Sequence, residues 1–338
     1  MPPLTHSRIL GTNGPQVAPI GLGCMGMSDF YGVADEAESL RTIHAALDAG
    51  INILDSGDFY GMGHNELLLR QVLKDRRSEA LVCIKFGAMR SPDNAFIGLD
   101  NRPAAVKNFL AYSLKRLGTD YIDVYYPARV DRSVPIEDTI GALVEMKEKG
   151  FIRYIGLSEA GPETIRRAHA VHPITMLQIE YSVVTRSIEA GILPTTRELG
   201  IAITAYGVLS RGLLSSQPLS IDPTKHDFRA VLPRFQAENM QQNQLLIDRL
   251  QVIAKQKACS LAQLAIAWVL GQGNDIIPLV GARTVSRLEE ALLAADVELT
   301  PEDLAAISQA IPPGSIAGDR YAPEQMAHLD SEQPSGGA

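Results

Sequence analysis

Apolar runs and amphipathic stretches alternate along this chain. "INIL", "ALVCIKFG", "YIDVYYP", "IRYIGLS", "ITMLQIEYS", "IAITAYG" and "DIIPLV" are apolar on both faces, as strands of a covered parallel sheet are. Stretches such as "EAESLRTIHAALDAG", "PAAVKNFLAYSLKRLG" and "IEDTIGALVEMKEKG" lie between them and carry helical periodicity. Several of these stop at a glycine (Gly50, Gly118, Gly150, Gly200), the residue that tolerates the left-handed turn closing a helix. Counting "APIGLG" as the first strand, the chain holds eight strand–helix units and no Ser/Gly-rich linker. This predicts a single domain over 1–338, an α/β fold closed as a (β/α)8 TIM barrel.

Three segments stand outside the repeat. "SRILGTNGPQVAP" predicts a hairpin turning at "TNGP" and plugging one end of the barrel. The longest irregular stretch, about 207–234, has the length of a functional lid. "QNQLLIDRLQVIAKQ" and "SLAQLAIAWVLGQG" predict two extra C-terminal helices, and residues 331–338, "SEQPSGGA", a frayed, disordered tail.

Charge and composition narrow the function. A formal net charge of −8 gives no basic footprint for a nucleic-acid partner. No apolar run reaches the ~20 residues of a membrane span, and the N-terminus lacks a signal pattern. A cytoplasmic protein is expected, with no signal of its oligomeric state. Cys24, Cys83 and Cys259 form no CxxC pair, and the seven histidines show no HExxH spacing, so no metal site is expected.

Barrel active sites gather at the C-terminal ends of the strands. There the chain places Asp55, Tyr60, Lys85, Ser158, Glu159, Gln178, Glu180, Tyr206, Gly281 and Arg283. Asp55, Tyr60 and Lys85 form a workable acid: an ammonium lowers a phenol's pKa, and a carboxylate keeps the ammonium charged and oriented. Spacing alone leaves this open against a structural ion pair beside an aromatic loop residue. "GLGCMG" matches GxGxxG in form, but "MSDFYGVAD" follows where a helix should open, so a Rossmann fingerprint is excluded. "GLSEA" and "VLSRG" each lack one glycine of the hydrolase motif GxSxG.

"LDSGDFYGMGHNELLL" resembles the "LDTA-x-x-YG-x-x-x-SE" signature of the aldo-keto reductases. "GLGCMGMS", "KFG", "IRYIGLSE", "AYGVLSRGLL" and "RLEEAL" follow in that family's order, from about residue 8 to 311. The resemblance implies an NADPH-dependent oxidoreductase acting on a small-molecule carbonyl substrate. In it Tyr60 donates the proton, Lys85 depresses its pKa and Asp55 supports Lys85. Ala128, in "YYPARVD", stands where the family usually has a catalytic histidine. Similar Ala-Arg stretches occur in a branch resembling pyridoxal and aryl-aldehyde reductases, which makes aromatic or heteroaromatic aldehydes the leading substrate expectation. An NADPH-binding sensor with little or no turnover is the alternative. Strand alternation would turn Arg129 away from the site.

By the same resemblance the cofactor is held by Gly23, Cys24 and Met25 after strand one, and by Ser158 and Gln178 at its carboxamide. Tyr206 stacks on the nicotinamide, and Gly207, Val208, Leu209, Ser210 and Arg211 cross the pyrophosphate. Gly281, Ala282, Arg283, Arg287 and Glu290 meet the adenosine end. Tyr31 and Phe86, with part of the 207–234 loop, are expected to line the substrate pocket beside Ala128.

Overall fold

A computed structural model of the chain describes residues 4, 6–28, 30–216, 219, 221 and 227–333. Eight strands form a closed barrel: β1 Gly21–Gly23, β2 Ile53–Gly57, β3 Leu81–Phe86, β4 Ile122–Pro127, β5 Ile152–Ser158, β6 Met176–Glu180, β7 Ala202–Tyr206 and β8 Ile276–Gly281. Each pairs in parallel with the next in the chain, and β8 closes on β1. The helices between consecutive strands are α1 Glu36–Asp48, α2 His64–Arg76, α3 Pro103–Leu117, α4 Ile136–Glu148, α5 Pro162–Val171 and α6 Ile192–Glu198. Two more, α7 Ala237–Gln256 and α8 Leu261–Leu270, precede β8, and α9 Val285–Leu292 follows it. The (β/α)8 barrel read from the repeat is the fold observed. The rejected Rossmann motif is a three-residue 3-10 turn, Met25–Met27, with α1 starting after the capping Asp35. No helix of the described residues is long and apolar enough to cross a membrane.

Strand alternation builds two cores. Inward residues Ile53, Leu81, Cys83, Val124, Met176, Ala202, Ile277 and Leu279 fill the barrel, and Leu10 and Val17 cap it from below. Those two lie on or beside the N-terminal hairpin, which pairs Arg8–Ile9 with Gln16–Val17. Arg8 Nη1 donates to Gly273 O at 2.9 Å, just before β8, so the hairpin plugs the N-terminal end as expected. Outward residues such as Leu54, Val82, Ile84 and Phe86 pack against the helices. Gly50, Gly118, Gly150 and Gly200 all have positive φ, which lets each helix turn at once into the next strand.

Two features depart from the sequence expectation. A second hairpin, Ala88–Arg90 with Phe96–Leu99, stands on the upper rim after β3. Residues 331–333, at the start of the expected tail, are docked. A turn at Asp330–Glu332 is held by Ser331 N to Glu159 O at 3.0 Å. Residues 334–338 of the expected tail lie outside the described residues.

Candidate active site

Above the inner core, one inward layer of the barrel is polar. Asp55, Lys85, Tyr126 and Gln178 come from β2, β3, β4 and β6, with Lys85 beside Tyr126 in register. Lys85 Nζ donates to Asp55 Oδ1 at 2.7 Å. The other Asp55 oxygen accepts from the Tyr126 hydroxyl at 2.5 Å and from Gln178 Nε2 at 2.7 Å. Lys85 is 2% exposed and Asp55 5%, so their attraction acts in a low dielectric where an unpaired charge would be costly. Tyr60, on the turn after β2, lies above: the ammonium is 5.1 Å from its ring centre. Sequence reasoning did not single out Tyr126. Its in-out parity with Lys85 along "YIDVYYP" was the available signal.

The phenol of Tyr60 is buried. Burial first, and the Asp55 carboxylate second, push its pKa well above the usual tyrosine value, while Arg129 pulls the other way. The net direction is thus upward, with Lys85 Nζ paired to Asp55. Lys85 is committed to Asp55, so the phenol keeps its proton in the resting site.

A cleft of about 1230 Å³ opens over this layer. Gly23, Met25, Tyr31, Ala128, Gln178, Tyr206, Gly207, Val208, Leu209 and Arg211 reach it, as do Gly281, Ala282, Arg283, Arg287 and Glu290. Cys24, Ser158, Ser210 and Phe86 do not. Cys24 faces the outer core and only its backbone engages the site, donating N–H to Asp55 O at 2.9 Å. Ser158 is enclosed at the end of β5, and Ser210 Oγ accepts from Arg234 Nη1 at 3.2 Å. Phe86 stacks on Tyr125, ring centres 4.5 Å apart, behind the barrel wall. It follows Lys85, so alternation turns it outward.

Arg129 is the opposite correction: it lines the cleft. β4 ends at Pro127, and strand parity no longer governs the bend that carries Arg129. Its Nη2 donates to the Tyr321 hydroxyl at 3.3 Å. Tyr321 and Arg320 come from the C-terminal segment, which sequence reasoning left unread. Arg320 Nη2 lies 2.6 Å from Glu159 Oε2, and the Tyr206 hydroxyl donates to Glu159 Oε1 at 2.7 Å. Burial alone would raise the Glu159 carboxyl, yet Arg320 holds it well below the usual range.

The rest of the wall is aromatic. Phe59, Tyr60, Phe30, Phe228 and Tyr321 form a run of neighbouring rings, with centres 4.8, 6.0, 5.9 and 6.4 Å apart in turn. Phe228 N donates to Phe30 O at 2.9 Å, tying the long loop after β7 to the loop after β1. That long loop thus forms part of the wall, as expected, although 217–218, 220 and 222–226 lie outside the described residues.

Residues 19–312 match the model of the aldo/keto reductase family. The chain belongs to the aldo/keto reductase family. It is 44% identical over 317 residues to "Probable aldo-keto reductase 1" of Glycine max, covering 92% of this chain and 90% of that one. Among solved structures, it is similar to the glycerol dehydrogenase of Gluconobacter oxydans (TM-score 0.82, 28% identity, 98% of each chain). It is also similar to an aldo-keto reductase of Bacillus halodurans in its holo form (TM-score 0.77, 28% identity, 94% of this chain and 98% of that one). This aldo-keto reductase is accordingly an oxidoreductase of a family that uses nicotinamide cofactors.

The cleft fits such a cofactor on its own evidence. Gly23 and Gly281 are register partners, and a Cβ on either would meet only the other strand's backbone, at ordinary contact distances of 3.8 and 4.0 Å. They leave a bare floor for a flat group. Arg211, which lines the cleft, keeps Nη1 buried without a hydrogen-bond partner. Arg283 and Arg287, both lining the cleft, flank Thr284, the N-cap of α9, and offer two guanidinium groups to a phosphate.

Proposed function

We propose that this aldo-keto reductase reduces an aldehyde or ketone to the alcohol with NADPH, and that Tyr60 protonates the carbonyl oxygen. The observation that carries this is a buried phenol whose ring stands over the Lys85 ammonium at the inner end of an aromatic cleft. A general acid must hold its proton until charge develops on the acceptor. Burial and Asp55 meet that need, because both disfavour the phenolate. When bound, the reduced nicotinamide supplies the hydride. Lys85 and Arg129 are the cations that stabilise the phenolate left on Tyr60. Asp55, held by Tyr126 and Gln178, keeps Lys85 in position.

Arg283 and Arg287 favour NADPH over NADH, since a guanidinium fork suits the additional phosphate. Gly23, Met25, Tyr206 and the Gly207–Arg211 stretch would hold the remainder of the cofactor. The ring-lined wall suits aromatic or heteroaromatic aldehydes, in keeping with the pyridoxal-reductase-like branch that "YYPARVD" resembles. Ala128 leaves room beside the reacting carbon that an imidazole would fill.

A carbonyl panel followed by loss of nicotinamide absorbance, with NADPH and NADH in parallel, tests the proposal. One similar structure is a glycerol dehydrogenase, so glycerol oxidation belongs in the same panel. Aromatic aldehydes are expected to turn over fastest and with NADPH. Tight NADPH binding with no turnover of any carbonyl would overturn the reading.

A further inference from the structure

A buried cluster of charges stands behind the cleft wall, and of its members Arg129 and Arg211 line the cleft. Glu159 and Glu180 are buried. Arg320 engages Glu159, while Arg211 Nη2 lies 2.9 Å and Arg234 Nη1 3.6 Å from the two oxygens of Glu180. Glu332 adds a third carboxylate, 2.7 Å from Arg320. Arg129 is the fourth guanidinium of the group, and it alone of the four makes no ion pair among the described residues. Glu159 is near enough to be felt at Arg129, but its oxygens accept from Arg320, Ser331 and Tyr206.

Arg129 has five N–H donors. One bonds Ala128 O at 2.6 Å and another the Tyr321 hydroxyl at 3.3 Å. The side chain lines the cleft beside Ala128, and its charge is felt at Tyr60. A guanidinium with uncommitted donors, no carboxylate partner and a place next to the acid suits an anion carried by the substrate.

We propose that Arg129 binds an anionic substituent of the substrate, so that the enzyme favours carbonyl compounds bearing a carboxylate close to the reacting carbon. The inference rests on the cleft being the carbonyl-reducing site and specifies what enters it. The aromatic wall takes the ring and Arg129 takes the charge. Ala128 gives the carboxylate room that a larger side chain would occupy.

The test compares ortho, meta and para carboxybenzaldehyde with their methyl esters, which keep the shape and remove the charge. For the best isomer the wild type is expected to favour the acid by about ten- to hundredfold in kcat/KM. Arg129→Gln should bring that ratio close to one, and Arg129→Lys should restore part of it. An acid/ester ratio unchanged in Arg129→Gln overturns the proposal, as does a wild-type ratio near one. Calorimetric titration with benzoate gives a readout that needs no turnover: the Kd is expected to rise at least tenfold in Arg129→Gln. Weakened benzoate binding in an enzyme that reduces no aldehyde would keep the anion site and overturn the carbonyl-reducing reading. An unchanged Kd would overturn the anion site whatever the turnover.

Discussion

The Lys85 ammonium sits 2.7 Å from Asp55 and 5.1 Å from the centre of the Tyr60 ring. Its closest partner is thus the carboxylate, and the phenol meets it through the ring. The charge of Lys85 is held ready, and Tyr60 stays protonated, until a substrate oxygen needs the proton.

Tyr60→Phe is expected to lower kcat for carbonyl reduction by about 10²–10⁴-fold, while the NADPH Kd, read by fluorescence titration, changes little. Because the phenol's pKa lies well above the usual ~10, the wild-type reduction rate should not fall through Tyr60 ionisation between about pH 6 and 9. A descending limb in that window that disappears in a variant altering only Tyr60's surroundings would contradict the buried, neutral phenol.

Asp55→Asn leaves the Lys85 ammonium buried without an anion. Breaking a buried pair from one side costs roughly 3–5 kcal/mol, so chemical denaturation should show a loss of that order. Removing both charges, Asp55→Asn with Lys85→Met, should be less destabilising than the sum of the single changes, though inactive. Strict additivity would mean that the pair is not coupled.

The Glu159–Arg320 pair anchors the C-terminal segment to the end of β5. The folded Glu159 carboxyl titrates well below the unfolded value of about 4.3, so its contribution is present above that value and is lost as pH falls through the folded pKa. Glu159→Gln should therefore destabilise the enzyme at neutral pH, with the difference from wild type shrinking as pH drops below about 4. Limited proteolysis should cut between residues 313 and 333 sooner in the variant. Equal cutting would show that the segment is held by other contacts.

Asp58 gives the opposite sign. It is buried, with no side-chain hydrogen bond and only the neighbouring Phe59 N–H to favour its charge, and burial followed by Glu66 pushes its pKa well above normal. A raised carboxyl pKa means that the unfolded chain loses its proton first as pH rises, so this group destabilises the fold above about pH 4. Asp58→Asn is expected to raise the melting temperature at pH 7, with the gain fading toward about pH 4. A variant that melts lower at pH 7 would mean that the ionised carboxylate has a stabilising partner.

The sequence by itself determined the barrel. Helical and strand periodicities repeat eight times, glycines close the helices, and both-face apolar strands alternating with helices suit a parallel sheet covered on both sides. It also placed Asp55, Lys85, Tyr60 and Gln178 at one end, because strand ends and parity are local properties. Only the tertiary structure decided which way the flanking residues point and what meets across the cleft. Phe86 turns outward by the same alternation that turns Lys85 inward, whereas Arg129 turns inward because β4 has already ended at Pro127. Tyr126 joins Asp55, Arg320 joins Glu159 and Tyr321 joins Arg129 through contacts between residues 71, 161 and 192 positions apart. No short-range pattern encodes such contacts, since they depend on where closing the barrel and docking the chain end bring distant side chains together.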